Sequence, residues 1–315
     1  MPKVKLSLIY ILGIFLFTIF GVHHFSTLQC SDKNKKLVNK QKFRLLILVL
    51  SAPENTERRD TIRKTWLSLR QDEVKSFFAI GTLNFRPEQL QTVESENQKH
   101  NDILLLPKLL DSYGTVTKKV LQSFVHMYEN YDFDFVLKCD DDSFAVVDQI
   151  LKELNRWQNK GLRKELYWGY FNGRARVKRS GPWKETDWFL CDYYLPYALG
   201  GGYILSYNLV KFIAENEDIL KLQNSEDVSV GLWVAPVANI ERKHDPRFDT
   251  EYRSRGCSNQ YLVTHKQSSQ DMKKMYEFYT RTGNLCAQEV STYLGYQYNW
   301  TVAPSQCCDR RPGIP

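Results

Sequence analysis

Three consecutive carboxylates, Asp140, Asp141 and Asp142, end an apolar run that begins at Phe133 and includes Phe135, Val136 and Leu137. Adjacent carboxylates repel one another, so a folded chain that gathers them at a strand end has use for a cation to offset the charge. Hard oxygen ligands point to Mn2+ or Mg2+ rather than Zn2+. A solvated acidic turn is the competing reading. What separates the two is the buried strand, because open α/β sheets bind ligands just outside the carboxyl ends of such strands.

A second acidic pair, Glu226 and Asp227, follows Ser225 and precedes Val228. Ser is a good N-cap, and acids in a first helical turn are favoured by the helix dipole, so capping accounts for the pair as readily as catalysis does. Among six histidines, His244 in Lys243-His-Asp-Pro246 and His265 in Val263-Thr-His-Lys266 could supply a nitrogen ligand, and spacing does not choose between them. Ala198-Leu-Gly-Gly-Gly-Tyr203 sets three glycines before an apolar strand, where they allow close approach of backbone to a ligand or make a tight turn. Residues 172–194 hold Arg174, Arg176, Lys178, Arg179, Trp183, Lys184 and Trp188 without a clear period. That is the pattern of a solvated face, or of aromatic platforms beside cations that suit a sugar on an anionic chain. Zinc-finger spacing, a P-loop and GxGxxG are absent.

The elements that must position these groups alternate. Phe43 to Leu50 reads as a buried strand, Thr56 to Leu69 as a helix with Ile62, Trp66 and Leu69 on one face, and Phe77 to Ile80 as a strand closed by Gly81. A polar surface helix over Glu88 to His100, a strand over Ile103 to Leu106, and a helix over Val116 to Tyr128 lead into the acidic strand. A helix from Val146 to Trp157 and an aromatic strand from Tyr167 to Phe171 follow. Such alternation predicts an α/β doubly wound sheet. The chain has 315 residues, 43% of them hydrophobic, enough for a large core in one domain or two closely joined ones. A net charge of +7 is too modest at this length to indicate a nucleic-acid partner, and it suits a lumenal enzyme meeting anionic substrates.

Residues 6–22 are uninterruptedly apolar or small, with Lys3 and Lys5 before them, and no small-x-small cleavage site follows. The expected organisation is a cytosolic tail (1–5), a transmembrane signal anchor (6–22), a stem (23–41) and a catalytic domain (42–315) in the lumen, as a single-pass type II protein. Lys33, Lys35 and Lys36 on the far side keep the charge rule from deciding orientation by itself. Asn299-Trp-Thr301 is a glycosylation acceptor, in keeping with a lumenal body. Most of Cys191, Cys257, Cys286, Cys307 and Cys308 are expected to pair in an oxidising compartment, with Cys139 unpaired and Cys30 either unpaired or bridging two chains.

In order and spacing, Ser51-Ala-Pro53, Arg58-Arg-Asp-Thr-Ile-Arg-Lys-Thr-Trp66, Asp111-Ser-Tyr-Gly-Thr-Val-Thr-Lys-Lys119, Lys138-Cys-Asp-Asp-Asp142, the triple glycine and Glu226-Asp-Val228 resemble the beta-1,3-glycosyltransferase family with a GT-A fold. The resemblance covers essentially the whole chain after the stem. Longer runs, among them Tyr167 to Phe171, Cys191 to Tyr203, His244 to Gln267 and Pro304 to Cys308, narrow it to galactosyltransferases of the glycosaminoglycan linkage region.

The resemblance implies a Rossmann-like, mostly parallel sheet flanked by helices in a single lumenal catalytic domain of the Golgi membrane. It implies transfer of galactose from UDP-galactose, with inversion, to the galactose of galactosyl-beta-1,4-xylose on proteoglycan core proteins. Asp140, Asp142 and His265 would hold Mn2+ in preference to Mg2+. Ser51, Arg63, Asp141, Gly201 and Gly202 would face the donor, Trp183, Tyr194 and Glu226 the acceptor, and Asp227 would be the base. A homodimer or a complex with other Golgi transferases is an assembly open to such a protein. Cys139 and Gly114-Thr115-Val116 depart from the family's usual residues without touching a proposed ligand. An N-acetylglucosaminyl or glucosyl transferase is a rival within the family. A carbohydrate-binding relative without activity is the rival outside enzymes, and loss of Asp142 or Asp227 would have been its mark.

Overall fold

The computed structural model describes residues 41–315 apart from 162, 163, 189 and 190. The expected tail, anchor, most of the stem and Cys30 lie outside the described residues. Among those described, no helix is long and apolar enough to cross a membrane.

The chain runs β1 (Lys42–Leu50), α1 (Thr56–Lys64), β2 (Val74–Gly81), α2 (Pro87–His100), β3 (Ile103–Leu106), α3 (Val116–Asn130), β4 (Asp132–Asp140), β5 (Phe144–Ala145) and α4 (Val147–Gln158). It continues through β6 (Glu165–Asn172), β7 (Tyr197–Ser206), α5 (Tyr207–Glu215), α6 (Glu226–Trp233), β8 (Ile240–His244), β9 (Phe248–Asp249), β10 (Gly256–Cys257), β11 (Val263–Thr264), α7 (Ser269–Thr282) and β12 (Val290–Ser291).

Seven strands form the central sheet in the order β3-β2-β1-β4-β7-β6-β8. β3, β2, β1 and β4 pair in parallel, and only β7 runs against its neighbours, β4 and β6. The fold is therefore mixed α/β with a mostly parallel sheet. The centre is β1 and β4, where Leu45 to Val49 and Phe135 to Leu137 are buried throughout, as strands covered on both faces must be. The flanking helices bury single stripes: Val120, Phe124 and Met127 on α3, and Ile150, Leu151 and Leu154 on α4. Polar α2 buries Val93 alone.

Two expectations change. The helix predicted over Thr56 to Leu69 stops at Lys64, and a tighter 3-10 turn over Trp66–Leu69 buries Trp66 and Leu67 in place of Leu69. Thr65 marks the break, its hydroxyl donating to the Thr61 carbonyl at 2.7 Å. The triple glycine does not precede an apolar strand but lies within β7.

Cys257 pairs with Cys286 and Cys307 with Cys308. Most of the five cysteines expected to pair thus do so; among the described residues Cys191 is an exposed free thiol, and Cys139 is a buried one, as expected.

Candidate active site

Register brings the first groups together. Leu50 sits opposite Asp140 in the parallel β1/β4 pair, so Ser51 and Asp141 leave the sheet side by side. Ser51 Oγ and Asn55 Nδ2 each donate to Asp141 Oδ2 at 2.8 Å, and Arg58 Nη1 lies 3.3 Å from Asp141 Oδ1. Lys119 Nζ supports this corner by donating to the Ser51 carbonyl at 2.9 Å and pairing with Asp111 at 2.6 Å. Burial raises the Asp141 carboxyl above its ordinary value, and the Asn55 and Ser51 hydrogen bonds pull it back. Asp141 thus faces the Ser51 side and stands apart from the cluster its neighbours form.

That cluster is Asp140, Asp142 and His265, whose ligand atoms all lie within 4.8 Å of one another. A small sheet delivers the histidine. β11 pairs with β5, directly after the triplet, with Thr264 opposite Phe144. The Gln267 N–H donates to the Asp142 carbonyl at 2.8 Å, fixing the next turn of chain. His265 Nε2 lies 2.9 Å from Asp142 Oδ1 and 3.6 Å from Asp140 Oδ2, yet both its ring nitrogens are buried without a hydrogen-bond partner. Burial opposes charge on Asp142, but His265, then Lys266 and Arg58, bring its pKa down to about 2. An orphaned buried nitrogen aimed between two carboxylates fits a divalent cation, with an O,O,N donor set.

His244 is excluded from that role. It is buried at the end of β8, its Nδ1 accepts the Phe171 N–H at 3.0 Å, and its Nε2 faces the Tyr296 carbonyl at 2.8 Å. Both nitrogens are used by backbone, and burial depresses the ring pKa to about 4.

The glycines of β7 make room for protein groups. A side-chain carbon at Gly201 would come within 2.7 Å of the His265 ring, and one at Gly202 within 2.8 Å of Val263. At Gly200 it would meet Glu226 Oε1 at 2.7 Å. At Gly201 and Gly202, expected to face the donor, the missing side chains leave the space that His265 and Val263 fill.

Lys138 links the cluster to α6. Its buried Nζ donates to Asp140 Oδ1 at 2.8 Å, to the Gly200 carbonyl at 2.6 Å and to Glu226 Oε1 at 2.5 Å. The Tyr203 hydroxyl donates to the other Glu226 oxygen at 2.7 Å. Burial works against the Lys138 charge, but Asp140 and Glu226 hold the ammonium protonated. Burial pushes Glu226 up to about 7 against the pull of Lys138. Glu226, expected to face an acceptor, is buried and braced by Lys138 and Tyr203.

Asp227, half-buried, is differently placed. Gly200 N–H donates to its Oδ2 at 2.9 Å, while Ser225 Oγ and Val228 N–H donate to Oδ1 at 2.5 and 2.8 Å. Ser225 occupies the N-cap position of α6, but its side chain caps no backbone N–H and serves Asp227 instead. Oδ2 keeps capacity for a further proton, and burial raises the carboxyl's pKa.

The remaining expected site residues are held by protein groups or lie at the surface. Arg63 is bound bidentately to Asp102 at 2.8 Å, also pairs with Asp60 and Glu96, and stacks over Phe78, so it braces α1 and Arg58 is the arginine at the triplet. Tyr194 is buried with Trp188, Tyr197 and Val228, and its hydroxyl accepts the Lys178 N–H. It packs the 172–194 loop onto α6. Trp183 is 40% exposed. Asn299 is exposed, its Oδ1 accepting from Thr301 Oγ1 at 2.7 Å.

Lys138, Asn55 and Arg58 had no assigned role in the sequence. Lys138 was within reach, since strand alternation sets it on the same side as Asp140.

A sheet carrying an acidic site at its strand ends, with a second carboxylate across a buried ion pair, defines a class with known members. The model of the Galactosyltransferase family matches residues 57–246, which include the triplet and Asp227, and the chain belongs to that family. Beta-1,3-galactosyltransferase 6 of Mus musculus is 50% identical over 275 residues, 86% of this chain and 84% of that protein. Hydroxyproline O-galactosyltransferase GALT2 of Arabidopsis thaliana is 35% identical over 75% of this chain and 34% of its own length. A Xenopus laevis UDP-GalNAc:beta-1,3-N-acetylgalactosaminyltransferase 2 is 31% identical, over 67% of this chain and 44% of its own.

Proposed function

We propose that this galactosyltransferase has the GT-A fold and transfers galactose from UDP-galactose, with inversion, in beta-1,3 linkage to the galactose of galactosyl-beta-1,4-xylose on proteoglycan core proteins. The observation that carries the reading is Asp227 held one residue from the Glu226–Lys138–Asp140 strut, in a chain half identical to a beta-1,3-galactosyltransferase.

Asp227 Oδ2 takes the proton of the acceptor 3-hydroxyl as that oxygen attacks the anomeric carbon, while the bond from that carbon to the UDP oxygen breaks and its electron pair leaves with UDP. The Gly200 N–H orients the carboxylate, and Ser225 and Val228 engage its other oxygen. Its raised pKa strengthens the base, because a carboxylate of ordinary pKa is a poor proton acceptor near neutrality. Asp140, Asp142 and His265 would hold Mn2+, which supplies positive charge to the diphosphate leaving group. Ser51, Asn55 and Arg58, gathered by Asp141, form the donor side.

The protein is proposed to lie in the Golgi lumen on a type II anchor, a reading supported by two disulfides and an exposed Asn299 sequon. The test is incubation of the full-length protein in detergent with Mn2+, a panel of UDP-sugars and galactosyl-beta-1,4-xyloside. A beta-1,3-galactosylated product is expected. Use of UDP-N-acetylglucosamine or UDP-glucose alone would replace the donor, and sugar binding without turnover would replace the enzyme by a carbohydrate-binding relative.

A further inference from the structure

Backbone geometry singles out the residue that follows His265. Among the described residues, four that are not glycine take a positive φ, and three of them are asparagines, a type that tolerates it: Asn84, Asn101 and Asn239. The fourth is Lys266, at φ 64°. The conformation itself has a cause, because the chain is tied on both sides of it. His265 N–H donates to the Asp249 carbonyl at 2.9 Å, Gln267 N–H to the Asp142 carbonyl at 2.8 Å, and Gln267 Nε2 to the His265 carbonyl at 3.0 Å. Those ties explain a left-handed residue but not a lysine, since glycine or asparagine would adopt the turn at less cost. A long side chain kept in a disfavoured backbone conformation beside a site points to work done by that side chain.

Lys266 Nζ lies 3.4 Å from Asp142 Oδ2, and its side chain stays 45% exposed. The same oxygen is 3.9 Å from Arg58 Nη1, while His265 Nε2 faces the other one, Oδ1. So exposed an ion pair adds little to stability, and holding Asp142 does not account for the lysine. The balance of charge gives it a second partner. With a divalent cation on Asp140 and Asp142 those carboxylates are neutralised, and Arg58 keeps Asp141 at 3.3 Å. Lys266 then has no carboxylate of its own among the described residues. An ammonium on a flexible stem beside such a site is free to turn to an anion bound there.

We propose that Lys266 contacts the diphosphate of the donor and offsets the charge that gathers on UDP as its bond to the anomeric carbon breaks. The proposal rests on the transfer described above, in which the electron pair of that bond passes to the UDP oxygen. A fixed cation within reach of the departing diphosphate stabilises the transition state more than the bound donor, and so speeds the step.

The test uses Lys266→Gly in the full-length protein, which removes the charge and suits the backbone; asparagine there would add a glycosylation acceptor with Ser268. Calorimetry with Mn2+ alone should find affinity equal to or tighter than that of the unaltered protein, because a positive charge beside Asp142 is gone. With Mn2+ present, UDP should bind about tenfold more weakly or worse, the loss expected for a charge-assisted hydrogen bond. In turnover, kcat should fall about tenfold or more while KM for UDP-galactose changes less. Lys266→Arg should restore part of both. The melting temperature of the glycine variant should be no more than about 2 °C below that of the unaltered protein. UDP affinity and kcat within about threefold of the unaltered protein overturn the proposal and leave the transfer reading standing. A loss of Mn2+ affinity as large as the loss of UDP affinity also overturns it, because Lys266 then acts only by holding Asp142. So does a melting temperature lowered by more than about 5 °C, which makes the lysine a brace of the fold. An unaltered protein that binds no UDP with Mn2+ present sinks the transfer reading itself, and this role with it.

Discussion

Lys138 Nζ lies 2.5 Å from Glu226 Oε1 and 2.8 Å from Asp140 Oδ1, so one buried ammonium joins a carboxylate of the candidate metal site to the helix that carries Asp227. Removing one member of a buried pair leaves the other charge uncompensated, at a cost of about 3 to 5 kcal/mol. Lys138→Met should lose stability on that scale in urea denaturation. The double variant Lys138→Met/Glu226→Gln should recover a substantial part, because the stranded carboxylate is then neutral. Additive losses in the cycle would show that the two residues do not act as a pair.

The cation site makes a separable claim. Asp142→Ala should abolish Mn2+-dependent UDP binding measured by calorimetry, since Asp142 Oδ1 is the oxygen facing the unpartnered His265 Nε2. UDP affinity that ignores both Mn2+ and this substitution would reduce the triplet to an acidic turn.

His244 predicts a pH dependence of stability. Its folded pKa of about 4 lies below the ordinary 6.5, so between these values the unfolded chain binds a proton that the native state refuses. Stability therefore falls as pH drops through this window, and His244 alone should contribute a loss of about 2 kcal/mol between pH 7 and pH 5. Denaturation at the two pH values, compared with His244→Gln, isolates this part. The variant should show a pH difference smaller by about that amount, and an unchanged difference would contradict the burial argument.

These residues also mark what could be read from sequence. β1 and β4 were legible because a strand covered on both faces must be apolar without interruption, as Leu45 to Val49 are. The cation ligands were legible in type, but choosing His265 over His244 needs the β5–β11 pairing, a contact that no local pattern encodes. The glycines read as a turn or a ligand approach because the groups they accommodate, His265 and Val263, arrive from a distant segment. Arg58, Arg59 and Arg63 share one short helix, and only the positions of Glu96 and Asp102 decide which of them braces the fold. Glu226 looked available to an acceptor because its partner, Lys138, lies 88 residues earlier.

The central claim is that Asp227 is the base, and Asp227→Asn tests it most directly. Asn is nearly isosteric and retains an oxygen able to accept the Gly200 N–H, so stability should fall by no more than about 1 kcal/mol. Calorimetry should find UDP and Mn2+ binding intact, because Asp227 is outside the Asp140, Asp142 and His265 cluster. An amide cannot take up the acceptor proton, so kcat should fall by about 10² to 10⁴. A folded variant with kcat within about tenfold of the unaltered protein would contradict the account.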